Sequence, residues 1–144
     1  MLHSIRLAAE LAAPRDEIYS MYLNAKTHAA FTGAPTRIAA RAGAAFSAFG
    51  GTLTGRILHV VHGELIVQTW RSDNFKARDV DSILILTLLP HGRKNTLLDL
   101  QHLNVPEQDY AGISQGWEQY YFAPWREYVA KRSGKRASKS AKMG

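Results

Sequence analysis

Residues Gly112–Gly116, GISQG, have the Gly-x-Ser-x-Gly spacing in which serine hydrolases hold their nucleophile. That chemistry requires a sharp turn between a strand and a helix, followed along the chain by an acid and a histidine. Ser114 falls inside a predicted helix instead, and no histidine follows His102. The spacing therefore does not indicate a serine hydrolase.

Two histidines three residues apart, His59 and His62, have the residue type that binds zinc. Alternate side chains of a strand point to opposite faces, so residues 59 and 62 should not converge on one ion. His3, His28 and His91 stand alone in terminal or loop contexts, and the acids are expected in turns, on helix surfaces or at outward strand positions. We therefore expect no metal, no cofactor and no paired carboxylates for acid–base chemistry.

The remaining candidates for proton transfer are His102 and Tyr121. They could form an acid–base pair if both lined one cavity. A lone histidine without a carboxylate or a second base is more often a hydrogen-bonded structural residue. We keep both residues as catalytic candidates but favour a protein that is not an enzyme.

The elements that position these residues follow from the period of the apolar side chains. The pattern predicts a strand over Ser4–Leu11, a helix that begins near Pro14, and a short helix with Thr27 as its N-cap. A period of two then predicts about six strands joined by short turns, over 36–41, 45–49, 53–61, 65–71, 80–89 and 95–105. A long helix over 109–131 follows, with a kink expected at Pro124. The order predicts an α+β fold with a curved antiparallel sheet wrapped around the C-terminal helix.

Side-chain direction on two strands predicts a cavity inside that sheet. In IVQTWR (66–71), an inward Trp70 places Arg71 on the opposite face, in water. On the last strand, an outward Asp99 turns His102 inward. Apolar walls with a few polar groups are typical of small-molecule sites, although the same aromatics could simply fill a core. The predicted wall and orienting groups are Phe46, Gln68, Trp70, Leu98, Leu100, His102, Trp117 and Tyr121.

The chain of 144 residues has a net charge of +6, which is unevenly distributed. Six of the 18 basic residues lie in 131–144, where there is no acid, so residues 1–130 are neutral overall. We expect one domain over 1–130 and a disordered basic tail over 131–144. The tail could touch anionic surfaces non-specifically, and we expect no specific nucleic-acid partner.

The composition also bears on location. There is no cysteine, which fits a reducing compartment. The N-terminal residues do not have the pattern of a secretion signal, and no apolar run is long enough to predict a membrane span. We therefore expect a cytoplasmic protein.

Several motifs follow one another along the chain. They are GAAFSAFGG from Gly43 to Gly51, Gly55 in the next strand, a strand that ends in Trp70-Arg71, a Thr-x-Leu-x-Leu-x-His strand that closes on Val105-Pro106, and Gly116-Trp117 in the last helix. In this order they resemble the activator of heat-shock protein 90 ATPase homologue-like family, within the START-like (SRPBCC) superfamily. The resemblance runs from the first strand to about Tyr128.

The resemblance implies a helix-grip fold with a hydrophobic cavity between the sheet and the C-terminal helix. It favours a protein that binds a small hydrophobic or amphipathic ligand. Two alternatives stay open: an enzyme of the cyclase or hydrolase kind that uses His102, as some START-like relatives use a cavity histidine, and a protein-interaction module like the chaperone activators. The resemblance implies neither the ligand nor the oligomeric state.

Overall fold

The computed structural model describes residues 1–132, and these contain one antiparallel sheet of seven strands. The strands are β1 Leu2–Leu11, β2 Thr36–Arg37, β3 Ala45–Ala48, β4 Leu53–Val61, β5 Leu65–Ser72, β6 Ser82–His91 and β7 Asn95–Pro106. Their spatial order is β1-β7-β6-β5-β4-β3-β2, so β1 and β2 lie at the two edges. The curved sheet and the long C-terminal helix confirm the predicted α+β helix-grip arrangement.

The side-chain directions predicted for β5 and β7 are confirmed. On β5, Gln68 and Trp70 are buried, whereas Arg71 on the opposite face is only partly so. On β7, Leu98, Leu100 and His102 are buried, and the residues between them are half exposed. This buried face packs against the helices and forms the core.

Two short helices connect β1 to β2. Helix α1, Arg15–Leu23, follows Pro14, as predicted. Helix α2 is Ala25–Thr32, and its N-cap is Asn24 rather than the predicted Thr27. The Asn24 side chain accepts hydrogen bonds from two backbone N–H groups of the first turn, at 3.0 and 3.1 Å. Asparagine was the better N-cap candidate because it lies directly before the first helical residue.

The last helix starts as α3, Glu107–Gly116, two residues earlier than predicted. It continues through a π-helical segment, Trp117–Phe122, and then an α-helical segment over 123–132. The backbone N–H of Ala123 donates to the carbonyl of Glu118, five residues back. Pro124 has no N–H and its ring crowds the preceding turn, so a wider turn before it relieves the conflict. The irregularity that the sequence placed at Pro124 therefore begins about two turns earlier.

Several predicted strand boundaries were wrong, and three strands show this best. The predicted strand over 36–41 pairs only at Thr36 and Arg37. The one over 45–49 ends at Ala48, because Phe49 enters a 3₁₀ turn with a φ of 52°. The strand predicted over 80–89 begins at Ser82. Residues 80 and 81 belong to the β5–β6 loop, which is held by hydrogen bonds from Arg71.

The helix over 123–132 includes Lys131 and Arg132, which the sequence had assigned to the tail. The rest of the predicted tail, 133–144, lies outside the described residues. Within 1–132, no helix has the length and apolar character that crossing a membrane requires.

Candidate functional site

A cleft of about 410 Å³ lies between the last helix and the β3–β4–β5 side of the sheet. Most of its wall is aromatic or aliphatic, and a group of polar side chains closes one part of it. The lining residues are Phe49, Thr52, Leu53, Trp70, Ser72, Asp73, Asn74, Asp109, Gly112, Ile113, Gly116, Trp117, Tyr120 and Tyr121.

The last helix supplies half of this wall because of its glycines and its π-helical segment. Gly112 and Gly116 lie four residues apart on one helical face and leave space where side chains would stand. The π-helical segment Trp117–Phe122 then turns Tyr120 and Tyr121 toward the cleft together. Single π-helical turns are frequent at functional sites, so this coincidence supports the cleft as the candidate site.

The polar part of the cleft is centred on Asp109. Its carboxylate is buried at 7% exposure and accepts hydrogen bonds from the Ser72 hydroxyl at 2.5 Å and the Asn74 amide at 3.3 Å. Asp109 was not among the predicted site residues, because acids on helices were expected at the surface. A signal was present: Asp109, Ile113 and Trp117 are spaced by four and therefore share the inward helical face.

Arg71, the cation beside Trp70, fastens the loop that supplies this polar part. Its guanidinium donates to the backbone oxygens of Lys76 at 2.8 Å and Asp79 at 2.7 Å. It also pairs with the Asp81 carboxylate at 2.9 Å and lies over the Phe75 ring, 5.2 Å from its centroid. Arg71 thus lies on the predicted outer face, but it is engaged with the β5–β6 loop rather than free in water.

His102 is fully buried and does not line the cleft. The indole N–H of Trp117 donates to Nδ1 of His102 at 3.2 Å, so that nitrogen carries no proton. The Ser82 hydroxyl donates to the Trp70 carbonyl at 2.5 Å and lies 2.8 Å from Nε2 of His102. Nε2 therefore carries the proton and donates it to Ser82. Burial lowers the pKa of His102 to about 3, so the ring is a neutral structural link between Trp70 and Trp117.

Tyr121 does line the cleft, but its hydroxyl is paired with His28 rather than His102. His28 donates from Nδ1 to the Tyr22 carbonyl at 2.8 Å, so its Nε2 accepts from the Tyr121 hydroxyl at 3.1 Å. The prediction that His28 stands alone in a terminal or loop context was wrong, since His28 lies fully buried in α2. Burial lowers its pKa to about 4, although the bond to the Tyr22 carbonyl acts in the opposite direction.

The structure divides the predicted site residues into two layers. Trp70, Trp117 and Tyr121 line the cleft. The other predicted residues lie behind these rings in the core, where for example Gln68 accepts a hydrogen bond from the Tyr22 hydroxyl. This second layer consists of Phe46, Gln68, Leu98, Leu100 and His102.

His62 and Ser114, which were considered for metal binding and as a serine nucleophile, are not among the residues that line the cleft. His62 packs its ring edge-on against Tyr19, 4.9 Å between centroids. Within residues 1–132, no three His, Cys, Asp or Glu side chains converge in a way that could hold a metal ion. Ser114 lies in the interior of α3, as expected, and not at a strand-to-helix turn.

Comparison with known proteins gives a consistent result. The family model described as Activator of Hsp90 ATPase homolog 1-like protein matches residues 12–130. A Dictyostelium discoideum protein named Activator of 90 kDa heat shock protein ATPase homolog is 26% identical over 115 residues, which are 80% of this chain and 30% of that protein. The human protein named Activator of 90 kDa heat shock protein ATPase homolog 1 is 25% identical over 107 residues, 74% of this chain and 31% of that protein. The chain thus spans about a third of the length of these relatives.

Solved structures share the fold. The crystal structure of an HSP90 activator from Plasmodium falciparum superposes with a TM-score of 0.80 at 19% identity, covering 88% of this chain and 96% of that one. CalU16 from Micromonospora echinospora superposes with a TM-score of 0.71 at 23% identity, covering 95% and 82%. The family match over most of the described chain, together with this START-like fold, shows that the chain belongs to the Activator of Hsp90 ATPase homolog 1-like family.

Proposed function

We propose that the protein binds a small hydrophobic or amphipathic ligand in the cleft between the sheet and the last helix. The observation that carries the proposal is the cleft itself, about 410 Å³ with a largely aromatic wall and a compact polar part. Small-molecule sites usually have volumes of roughly 300–1,000 Å³ and this kind of lining. If the two tryptophans served only to fill the core, we would not expect such a space beside them.

The residues that we propose to contact the ligand are Trp70, Trp117 and Tyr121 from the sequence prediction, joined by Phe49 and Tyr120. The orienting role assigned to Gln68 and His102 passes to the polar groups of the cleft, Ser72, Asn74 and Asp109. Phe46, Leu98, Leu100, Gln68 and His102 then act behind the wall, holding the contacting rings in place. We further propose a single domain over 1–130 and a cytoplasmic location.

Filling the cleft from the helix tests this proposal. Gly112 is helical, and a Cβ there would meet only Oδ1 of Asp109, at an ordinary 3.5 Å. Gly112→Leu should therefore project a side chain into the cleft without straining the backbone. Because leucine is a better helix former than glycine, we expect the free energy of unfolding to rise by about 1 kcal/mol while binding of 1-octanol, a neutral apolar probe, is lost. Calorimetric titration and thermal unfolding measure the two effects.

The matched control is Ala111→Leu, which adds leucine one residue earlier on an exposed position outside the cleft. It should bind octanol as the unsubstituted protein does. Equal octanol affinity in Gly112→Leu and the unsubstituted protein would contradict binding in this cleft, because the leucine side chain would occupy the space in which octanol is proposed to bind.

A second candidate function is stimulation of a 90-kDa heat-shock protein ATPase. The observation that favours it is the family match together with the names of the Dictyostelium and human relatives. In those relatives the matching segment is about a third of the protein. The activity of the whole protein is therefore a proposal for this chain.

The test is the ATP hydrolysis rate of a purified 90-kDa chaperone with increasing amounts of this protein. A saturable rise above the basal rate, absent with an unrelated protein of similar size, would support the second function. An unchanged rate together with no complex in sedimentation would contradict it and would leave the cleft proposal standing.

A further inference from the structure

The charged residues of the cleft are all of one sign. Among its lining residues, the charged side chains are Asp73 and Asp109, and no lysine or arginine takes part. Residues 1–130 are neutral overall, since the whole excess of basic residues lies in 131–144. Two carboxylates without a basic residue in the lining disfavour anionic ligands such as fatty acids and favour ligands that carry positive charge.

Asp109 has unused capacity to accept hydrogen bonds. An ionised carboxylate offers about four acceptor positions. In the described part of the chain its hydrogen-bond partners are two neutral groups, the Ser72 hydroxyl and the Asn74 amide. A nearly buried carboxylate without a cationic partner is costly, so a cation that reaches it gains both charge attraction and hydrogen bonds. Its place in the first turn of α3 moderates this cost without removing it.

The helix leaves one side of this carboxylate open. A Cβ added at Gly112 would lie 3.5 Å from Oδ1 of Asp109, and with glycine that position is empty. Both residues line the cleft. The cleft therefore has room for a ligand atom directly beside Oδ1.

The aromatic wall fits the same kind of ligand. The faces of tryptophan and tyrosine rings attract cations, more strongly where water is excluded. Trp70, which is 5% exposed, also keeps its indole Nε1 buried with no hydrogen-bond partner in residues 1–132.

We infer that the ligand of the cleft is an amphipathic amine, bound with its cationic nitrogen at Asp109 and its apolar part against Trp70, Trp117 and Tyr120. This inference rests on the proposed binding function and narrows the ligand from any small hydrophobic or amphipathic molecule to one charge class. Tyr120, which is 53% exposed, lies where the apolar end of a longer ligand would reach solvent.

Three probes with one tail and different head groups test the inference: octylamine, 1-octanol and octanoate, each titrated calorimetrically at pH 7. We expect octylamine to bind about tenfold more tightly than octanol, and octanoate to bind most weakly. Asp109→Asn keeps the shape and can still accept from Ser72, so it should remove the preference for octylamine. Asp99→Asn, on the outer face of the sheet beside Arg6, is the matched control and should change none of the affinities.

The outcomes separate the two proposals. Equal binding of all three probes, or tighter binding of octanoate, would overturn the amine inference and leave cleft binding intact. No binding of any probe would overturn both. A preference for octylamine that Asp109→Asn leaves unchanged would also overturn the assignment to Asp109, because the attraction would then come from elsewhere. If Asp109→Asn does not fold, the ranking of the probes on the unsubstituted protein still decides the charge class.

Discussion

Gly55→Ala is expected to destabilise the protein severely, by about 3 kcal/mol or more in the free energy of unfolding. A Cβ at Gly55 would lie 2.0 Å from the backbone oxygen of Thr69 and 2.8 Å from its carbonyl carbon. These are backbone atoms, so relief requires β4 and β5 to separate. At the neighbouring position, the Thr69 hydroxyl accepts a hydrogen bond from the N–H of Arg56 at 2.9 Å. Urea unfolding measures the loss, and displacement of β5 would also disturb Trp70.

The control for Gly55→Ala is Gly112→Ala, the same substitution at a glycine where a Cβ would meet only Oδ1 of Asp109, at an ordinary 3.5 Å. It should stabilise the protein by up to about 1 kcal/mol, because alanine is the better helix former. Opposite signs at the two glycines would establish that Gly55 is required by close strand approach and not by flexibility. A Gly55→Ala protein as stable as the unsubstituted one would contradict the β4–β5 packing described here.

Acidification is expected to destabilise the fold well before the carboxylates are protonated. Burial lowers the pKa of His102 to about 3 and that of His28 to about 4, from 6.5 for an exposed histidine. Below pH 6.5 the unfolded chain takes up protons that the folded chain does not. Stability is therefore complete above that pH and falls as the pH falls toward the folded values. For the two residues together we expect a loss of about 3 kcal/mol between pH 6.5 and 5.

Chemical denaturation at several pH values measures this slope. Replacing one of the two histidines should roughly halve it, and His102→Gln is the variant of choice because glutamine can still bond to Ser82 or Trp117. His59→Gln, at an exposed position of β4, serves as the control and should leave the slope as it is. A stability that does not change between pH 6.5 and 5 would mean that neither buried ring is held neutral by the fold.

The sheet and much of the cleft wall were predictable because a strand fixes side-chain direction by alternation. Once Trp70 was placed inward, Gln68 had to follow and Arg71 had to lie outside, and the structure agrees. The same logic placed Leu98, Leu100 and His102 on the inner face of β7. Alternation says which face a residue takes, but not how deep it lies. It could not show that Trp70 reaches the cleft while His102 stays behind it.

The rest of the site depends on contacts between residues distant in sequence. The partner of Tyr121 is His28, 93 positions away, and a lone histidine in a short helix gives no sign of such a pairing. Asp109 is held by Ser72 at the end of β5 and by Asn74 in the loop that follows, which no local pattern connects to α3. The π-helical segment follows from Pro124, yet the sequence indicates only that the helix must adjust there, and not how.

The most direct test of ligand binding in the cleft uses the indole N–H signals of the three tryptophans in a nitrogen–proton NMR spectrum. Trp70 and Trp117 line the cleft, whereas Trp125 is stacked on Phe31 with ring centroids 4.5 Å apart, away from it. On titration with octanol and then with octylamine, we expect the Trp70 and Trp117 signals to shift together and saturate while the Trp125 signal stays fixed. Shifts of Trp125 alone, equal shifts of all three signals, or no shift with either probe would contradict binding in this cleft.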